Sequence, residues 1–207
     1  MDLKLQNDVE LWWGTPLFAL TWPEAVDLNA DLKALILDRR KQSEGVVKSN
    51  LGGWHSTDDM LTWPSPAVVT LKKWILEGFR KATQRTSKGQ GYTGGVNITC
   101  WANVNRPGHA NDTHNHPQSA WSGVYYVDVG TPVDLEKLSG FIYFQDPRAG
   151  AGMCQDPFGR FGKGRQFNPM NGQMLFFPSW LIHGVRAYQG EGERISVAFN
   201  IALLDLM

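Results

Sequence analysis

Apolar residues in the first ninety positions recur at helical spacing in two segments. The first follows Thr21-Trp22-Pro23-Glu24, a pattern that has the form of a capping box, and its apolar stripe comprises Ala25, Leu28, Leu32, Leu35 and Ile36. The second begins at Ser65-Pro66, ends near Arg80-Lys81, and its apolar face comprises Val68, Leu71, Ile75 and Phe79. Two amphipathic helices are therefore predicted, with a glycine-bearing loop over residues 49–56 between them.

From Gly91 onward the pattern changes to short runs rich in β-branched and aromatic residues. These runs cover residues 96–104, 122–129, 140–145, 173–177 and 195–203, and glycine and proline clusters separate several of them. Several short strands with such turns are typical of a sandwich or jelly roll. We therefore predict one mainly β (α+β) domain over residues 1–207. In it, a helical N-terminal support region (1–90) packs on one sheet of a jelly-roll core (91–207).

The segment 146–172 is long, glycine-rich and aperiodic. Segments of this kind in compact domains are commonly binding loops, lids or disordered insertions. We expect either a mobile cover over a functional site or a solvated insertion, and the sequence does not distinguish them.

Composition excludes several classes of partner. The chain has 20 basic and 20 acidic residues and a formal net charge of zero, which favours neither nucleic acid nor an acidic membrane. Two cysteines are too few for a disulfide framework or a thiolate zinc site. No run approaches the ~18–20 apolar residues of a membrane helix, and the N-terminus is polar, so we expect a cytoplasmic protein. The oligomeric state stays open, a homodimer being one option.

Three of the five histidines form a pattern that indicates metal binding. His114 and His116 are one residue apart, so on an extended segment their side chains point to the same side. His183 follows a later predicted strand and could complete a three-imidazole site for Fe, Zn, Cu or Ni. Asp112 is an alternative third ligand, and His109 is a further local candidate. We rank both lower because Pro117 fixes the chain directly after the pair.

Arg194-Ile195-Ser196 is a second candidate for function. On a strand, Arg194 and Ser196 face one side. Ile195, Val197 and Phe199 face the other. Inside a jelly roll a guanidinium needs a charged partner, because burying it alone is costly. A ligand carboxylate bound by Arg194, with the Ser196 hydroxyl beside it, would satisfy this need.

These motifs resemble the 2-oxoglutarate and Fe(II)-dependent oxygenases. More closely, they resemble a bacterial and phage family within the prolyl-hydroxylase-like part of that superfamily. The matching segments are His114-Asn115-His116-Pro117, Ser122-Gly123-Val124-Tyr125-Tyr126-Val127, Phe177-Pro178-Ser179-Trp180-Leu181 with His183, and Arg194-Ile195-Ser196-Val197-Ala198-Phe199-Asn200. Residues 49–56 also resemble this family, so the resemblance covers nearly the whole chain.

The resemblance implies a double-stranded β-helix with Fe(II) at one mouth and 2-oxoglutarate as cosubstrate. His114 and His183 would take the two histidine positions of the superfamily, and His116 falls where its members usually carry Asp or Glu. Arg194 would bind the far carboxylate of 2-oxoglutarate with help from Ser196, and Tyr126 or Tyr125 could donate a hydrogen bond. The implied activity is oxygenation, most simply hydroxylation, of a small-molecule or peptide substrate.

Two other functions are compatible with the same residues. The spacing also resembles cupins, although Ala120 and Trp121 occupy the region where cupins place a glutamate. A three-histidine dioxygenase that needs no 2-oxoglutarate is therefore one alternative, and a non-enzymatic jelly roll with a structural metal is the other. Trp101, Trp121 and Trp180 are candidate pocket walls and His55 a candidate neighbour of the site, although structural roles are commoner for all four.

Overall fold

A computed structural model describes residues 14–132, 138–153, 155 and 164–204. Within them the helices are α1 (Ala25–Gln42) and α2 (Pro66–Thr86). The strands are β1 (Phe18–Thr21), β2 (Asn50–Leu51), β3 (Trp54–His55), β4 (Val96–Asn105), β5 (Ala110–His114), β6 (Trp121–Asp128), β7 (Thr131–Pro132), β8 (Ile142–Phe144), β9 (Arg165–Phe167), β10 (Gln173–Pro178), β11 (His183–Val185), β12 (Gly190–Glu191) and β13 (Arg194–Leu203). No helix among the described residues is both long and apolar enough to span a bilayer.

Two antiparallel sheets face each other and form the jelly roll. The larger has the order β1-β10-β6-β13-β4-β3, and the smaller has the order β2-β5-β11-β8-β9. Side chains from both, among them Tyr126 and Phe177 of the larger sheet and Ile142 and Phe144 of the smaller, pack together between them. The mainly β, jelly-roll prediction is confirmed, although the described strands do not close into a single hydrogen-bonded barrel.

The two helices cover the outer face of the larger sheet. Leu32 and Ile36 of α1 and Leu71 and Ile75 of α2 are fully buried in one cluster with outward-facing residues of β13 such as Phe199. Burying an aliphatic side chain of this size stabilises the fold by about 1.5–3 kcal/mol. A continuous apolar core therefore holds the two helices against the larger sheet, as predicted.

The helix starts differ from each other. Ser65 caps α2, because its hydroxyl accepts a hydrogen bond from the Ala67 backbone N–H and Pro66 occupies the first turn. The capping box predicted for α1 is wrong. Thr21 belongs to β1, where it pairs with Gln173, and Glu24, the residue that precedes the helix, makes no side-chain cap.

Strand β13 separates core from site by simple alternation. Ile195, Val197 and Phe199 are buried against the helices, whereas Arg194 and Ser196 point between the sheets. The neighbouring strand β6 continues the inner face with Tyr126, which lies opposite Ser196 in the register. The pairing of β6 with β13 therefore places these polar side chains together on the inner face.

Two segments contain more structure than predicted. The loop at 49–56 includes β2 and β3, which extend one sheet each, so the N-terminal region also contributes strands. Within 146–172, Arg165–Phe167 forms β9 and pairs with β8. Residues 154 and 156–163, with Cys154 and most of the basic glycine-rich run, lie outside the described residues, so the proposed cover stays a prediction.

Candidate metal centre

Three histidines converge at one mouth of the jelly roll. His114 ends β5, His183 begins β11, and the two are direct partners across the ladder between these strands. His116 lies in the loop that follows β5, where its backbone N–H donates to the Ser179 carbonyl at 2.9 Å. One ring nitrogen from each lies within 4.8 Å of the others, so together they could bind a metal ion. Among the described residues neither Asp112 nor His109 belongs to this group.

Backbone carbonyls orient two of the imidazoles. His114 Nδ1 lies 2.7 Å from the Asp112 carbonyl oxygen, and His183 Nδ1 lies 2.8 Å from the Leu181 carbonyl oxygen. A carbonyl only accepts, so each Nδ1 is the protonated nitrogen and each Nε2 keeps its lone pair. Contacts of this kind fix the tautomer and ring orientation of metal-binding histidines.

Burial keeps two of these rings neutral. It lowers the pKa of His116 to about 3, helped by the nearby His183 and His114. Burial likewise lowers the pKa of His183 to about 4, against a smaller opposite effect of its hydrogen bond to Leu181. Both rings are therefore uncharged at neutral pH, the form in which an imidazole binds a metal.

An inner cavity adjoins the histidines between the two sheets. It is lined by His114, His116 and His183 at one side and by Arg194, Tyr126 and Ser196 at the other. Arg194 is only 2% exposed, and Tyr126 is fully buried. The guanidinium and the phenol ring lie close, with the Arg194 guanidinium carbon 5.4 Å from the centre of the Tyr126 ring.

Polar atoms around Arg194 have no partner. Arg194 Nε, the Tyr126 hydroxyl, Asn103 Oδ1 and Asn105 Nδ2 are all buried without a hydrogen bond. No carboxylate among the described residues pairs with Arg194. Burial without such a partner lowers the pKa of its guanidinium. Unpaired buried polar groups are rare in native proteins and costly, so their concentration here fits a site for an anionic, multiply hydrogen-bonded ligand.

The candidates from the sequence divide clearly. The structure brings together His114, His116, His183, Arg194, Ser196 and Tyr126 around the inner cavity. Tyr125, the alternative to Tyr126, points to the opposite face and donates its hydroxyl proton to Asn29 of α1 at 2.7 Å. Sequence reasoning missed Asn103 and Asn105. Both share one face of β4 with Trp101, and this spacing was a usable signal.

The three tryptophans also differ in position. Trp101 lines the inner cavity and its ring centre lies 5.7 Å from that of His116. Trp121 packs against Phe18 on the outer side of the larger sheet. Trp180 is half exposed. Only Trp101 of the three contacts the candidate site within the described residues.

Comparison with known proteins gives a consistent result. A profile of the family described as "Putative 2OG-Fe(II) oxygenase" matches residues 99–200, which contain all three histidines and Arg194. A search of curated protein sequences finds no significant match.

Solved structures show the same fold at low identity. A Pseudomonas putida prolyl-4-hydroxylase is 15% identical with a TM-score of 0.64, covering 91% of this chain and 92% of that one. HygX from Streptomyces hygroscopicus, solved with nickel, 2-oxoglutarate and hygromycin B, is 13% identical with a TM-score of 0.62, covering 93% of this chain and 85% of that one. A viral collagen prolyl hydroxylase from Paramecium Bursaria Chlorella virus-1, solved with 2-oxoglutarate, is 10% identical with a TM-score of 0.62, covering 91% and 96%.

The profile match confirms the resemblance to 2OG-Fe(II) oxygenases and, with it, the expected enzyme class and cofactors, while the narrower motif pattern stays a prediction. Residues 99–200, just under half of the chain, match the 2OG-Fe(II) oxygenase family model, and the chain shares its fold with the prolyl-4-hydroxylase over nearly its whole length.

Proposed function

We propose that this protein uses Fe(II) at His114, His116 and His183, and 2-oxoglutarate held by Arg194, to oxygenate a small-molecule or peptide substrate. The carrying observation is the inner cavity, in which three neutral imidazoles face one side and an unpaired buried guanidinium faces the other. A dicarboxylate that reaches both sides would satisfy the metal and the guanidinium together. Hydroxylation is the simplest outcome.

His116 gives the proposed iron site an unusual charge. Three imidazoles are all neutral, whereas a carboxylate in this position would offset one of the two positive charges of Fe(II). The bound 2-oxoglutarate dianion would then supply all of the compensating charge near the metal. Iron and 2-oxoglutarate should therefore bind cooperatively.

The iron and cosubstrate, when bound, supply the oxidising chemistry with dioxygen, and the chain supplies binding and orientation. Arg194 would bind the far carboxylate, with the hydroxyls of Ser196 and Tyr126 as additional hydrogen-bond donors. Burial raises the pKa of the Tyr126 hydroxyl, so it keeps its proton for donation. Because Arg194 is buried, its attraction for the carboxylate would be stronger than it is in bulk water.

Anaerobic titration tests this function. Adding 2-oxoglutarate to the Fe(II)-loaded protein should produce the visible metal-to-ligand charge-transfer absorption of bidentate cosubstrate, and admitting oxygen should release succinate. The Arg194→Ala variant should lose the absorption at cosubstrate concentrations that saturate the parent. Tyr125→Phe, altered outside the cavity, is the matched control and should retain it.

The alternatives correspond to different results. Iron binding without charge transfer would favour the three-histidine dioxygenase, and zinc bound tightly with a fourth protein ligand would favour the non-enzymatic metal protein. Cytoplasmic location and a homodimer stay predictions of the sequence.

A further inference from the structure

A second cavity, here called the outer cavity, adjoins two of the candidate metal ligands. It has a volume of about 500 Å³ and opens to solvent. The inner and the outer cavity are neighbours, because both are lined by His114, His116, Trp101 and Ser49. A ligand in the outer cavity would therefore lie next to His114 and His116, two of the candidate metal ligands.

His55 and Trp101 form a stacked pair at the wall of the outer cavity. Their ring centres are 5.4 Å apart and their planes differ by 11°. The pairing of β3 with β4 places them side by side, since His55 is the register partner of Asn103. His55 is 3% exposed, and the close packing of both rings holds each in one orientation.

The His55 ring has one engaged and one available nitrogen. Its Nδ1 lies 2.6 Å from the Ser56 carbonyl oxygen and therefore carries the proton. Its Nε2 is then an acceptor, and it has no partner among the described residues. It is not sealed from the cavity either, since it is absent from the fully buried unpaired atoms. The Nε1–H of Trp101 likewise has no partner among the described residues and is an accessible donor.

Each charged side chain that lines the outer cavity has one partner in the protein. Lys48 and Asp58 form an ion pair at 3.3 Å. The Asp112 carboxylate accepts the backbone N–H of Thr113 at 2.7 Å. Beside the metal ligands, His55 therefore offers an uncharged acceptor and Trp101 an uncharged donor.

We propose that the His55–Trp101 pair binds and orients the substrate, accepting a hydrogen bond at His55 Nε2 from an uncharged group that carries both an N–H or O–H donor and an acceptor. The role as substrate site rests on the function proposed above. The binding itself requires only the cavity, so the two can fail separately.

Fragment binding tests this proposal without knowledge of the substrate. N-Methylacetamide carries a donor and an acceptor, whereas N,N-dimethylacetamide keeps the acceptor and lacks the donor. Each is titrated into the metal-free protein and into the protein loaded with Zn(II) and 2-oxoglutarate. The readouts are the indole N–H signals of tryptophan and the ring ¹⁵N signals of histidine in NMR spectra.

N-Methylacetamide should shift the Trp101 and His55 signals saturably, and N,N-dimethylacetamide should bind about tenfold more weakly, the effect of one lost hydrogen bond. His55→Phe should weaken N-methylacetamide binding by a similar factor, and His55→Gln, which keeps an acceptor, should recover part of it. His109→Gln, a histidine change outside the cavity, is the matched control and should leave binding unchanged.

Three results would overturn the proposal. They are equal affinity for the two amides, unchanged N-methylacetamide binding in His55→Phe, and the absence of saturable shifts at Trp101 and His55. If His55→Phe does not fold, the comparison of the two amides in the unaltered protein still decides. Fragment binding in the metal-free protein together with failure of the charge-transfer titration would reject the proposed oxygenase but keep this binding site.

Discussion

Replacing Arg194 with methionine should affect ligand binding and stability in opposite directions. In the described residues Arg194 is 2% exposed, has no carboxylate partner and leaves Nε unpaired. Without a ligand, folding therefore buries a charge with little compensation. Methionine fills similar volume without that charge, so the variant without ligand should be as stable as the parent or more stable, by up to about 4 kcal/mol.

Binding of 2-oxoglutarate should weaken strongly in the same variant. Truncating one partner of a buried, hydrogen-bonded charge pair costs roughly 2–5 kcal/mol, which corresponds to a loss of about 30-fold to a few thousandfold in affinity. Calorimetric titration of the Zn(II)-loaded protein measures this affinity, and urea unfolding of the metal-free protein measures stability. Both use a buffer free of carboxylates, so that no other anion occupies the cavity.

The reasoning about Arg194 is refuted by the reverse result. If Arg194→Met unfolds several kcal/mol more easily and binds 2-oxoglutarate as the parent does, Arg194 is a structural residue. Arg194→Lys separates charge from shape, since lysine keeps the charge but cannot bind a carboxylate through two parallel N–H groups. An intermediate loss of affinity is expected for it.

The remaining predictions concern the metal, pH and packing. His183→Ala should reduce the affinity for Fe(II), measured by competition with a chelator. Loss of a residue that only hydrogen-bonds to a metal ligand lowers metal affinity roughly 10–100-fold, so loss of the ligand itself should cost more. Unchanged affinity would exclude the site. The metal-free protein should lose about 2 kcal/mol of stability between pH 7 and pH 5 through His183, because this residue, with a pKa near 4 against the ordinary 6.5, binds its proton more readily when unfolded. Thermal melts should show this dependence flattened in His183→Ala, and an equally steep dependence in that variant would contradict the cause. Gly123→Ala should destabilise by about 1–3 kcal/mol in urea unfolding, because an added methyl meets the Phe199 ring and the Leu175 carbonyl; Gly14→Ala, with open space around it, is the control.

Local periodicity accounts for most of what the sequence predicted. The alternation along residues 194–199 and the one-residue spacing of His114 and His116 need only the strand period, and both appear in the fold as expected. The two apolar helix stripes follow from the helical period in the same way. Properties that depend on a short stretch of chain can therefore be predicted from the amino-acid sequence alone.

Features decided by distant partners cannot be predicted in this way. Thr21 pairs with Gln173 across the sheet instead of capping a helix, and Arg165–Phe167 becomes a strand because β8 offers an edge. The unpaired state of Asn103 and Asn105 depends on what surrounds them in the folded protein. Only the assembled sheets reveal these relations.

The clamps on His114 and His183 are made by main-chain oxygens of Asp112 and Leu181, two residues earlier in each case. Every amino acid carries that oxygen, so side-chain replacement at either position leaves the acceptor in place. The hydrogen bonds that orient both imidazole rings therefore do not depend on the side chains of Asp112 and Leu181. Variants selected for a new substrate can therefore change the side chains at these two positions and still keep both carbonyl acceptors.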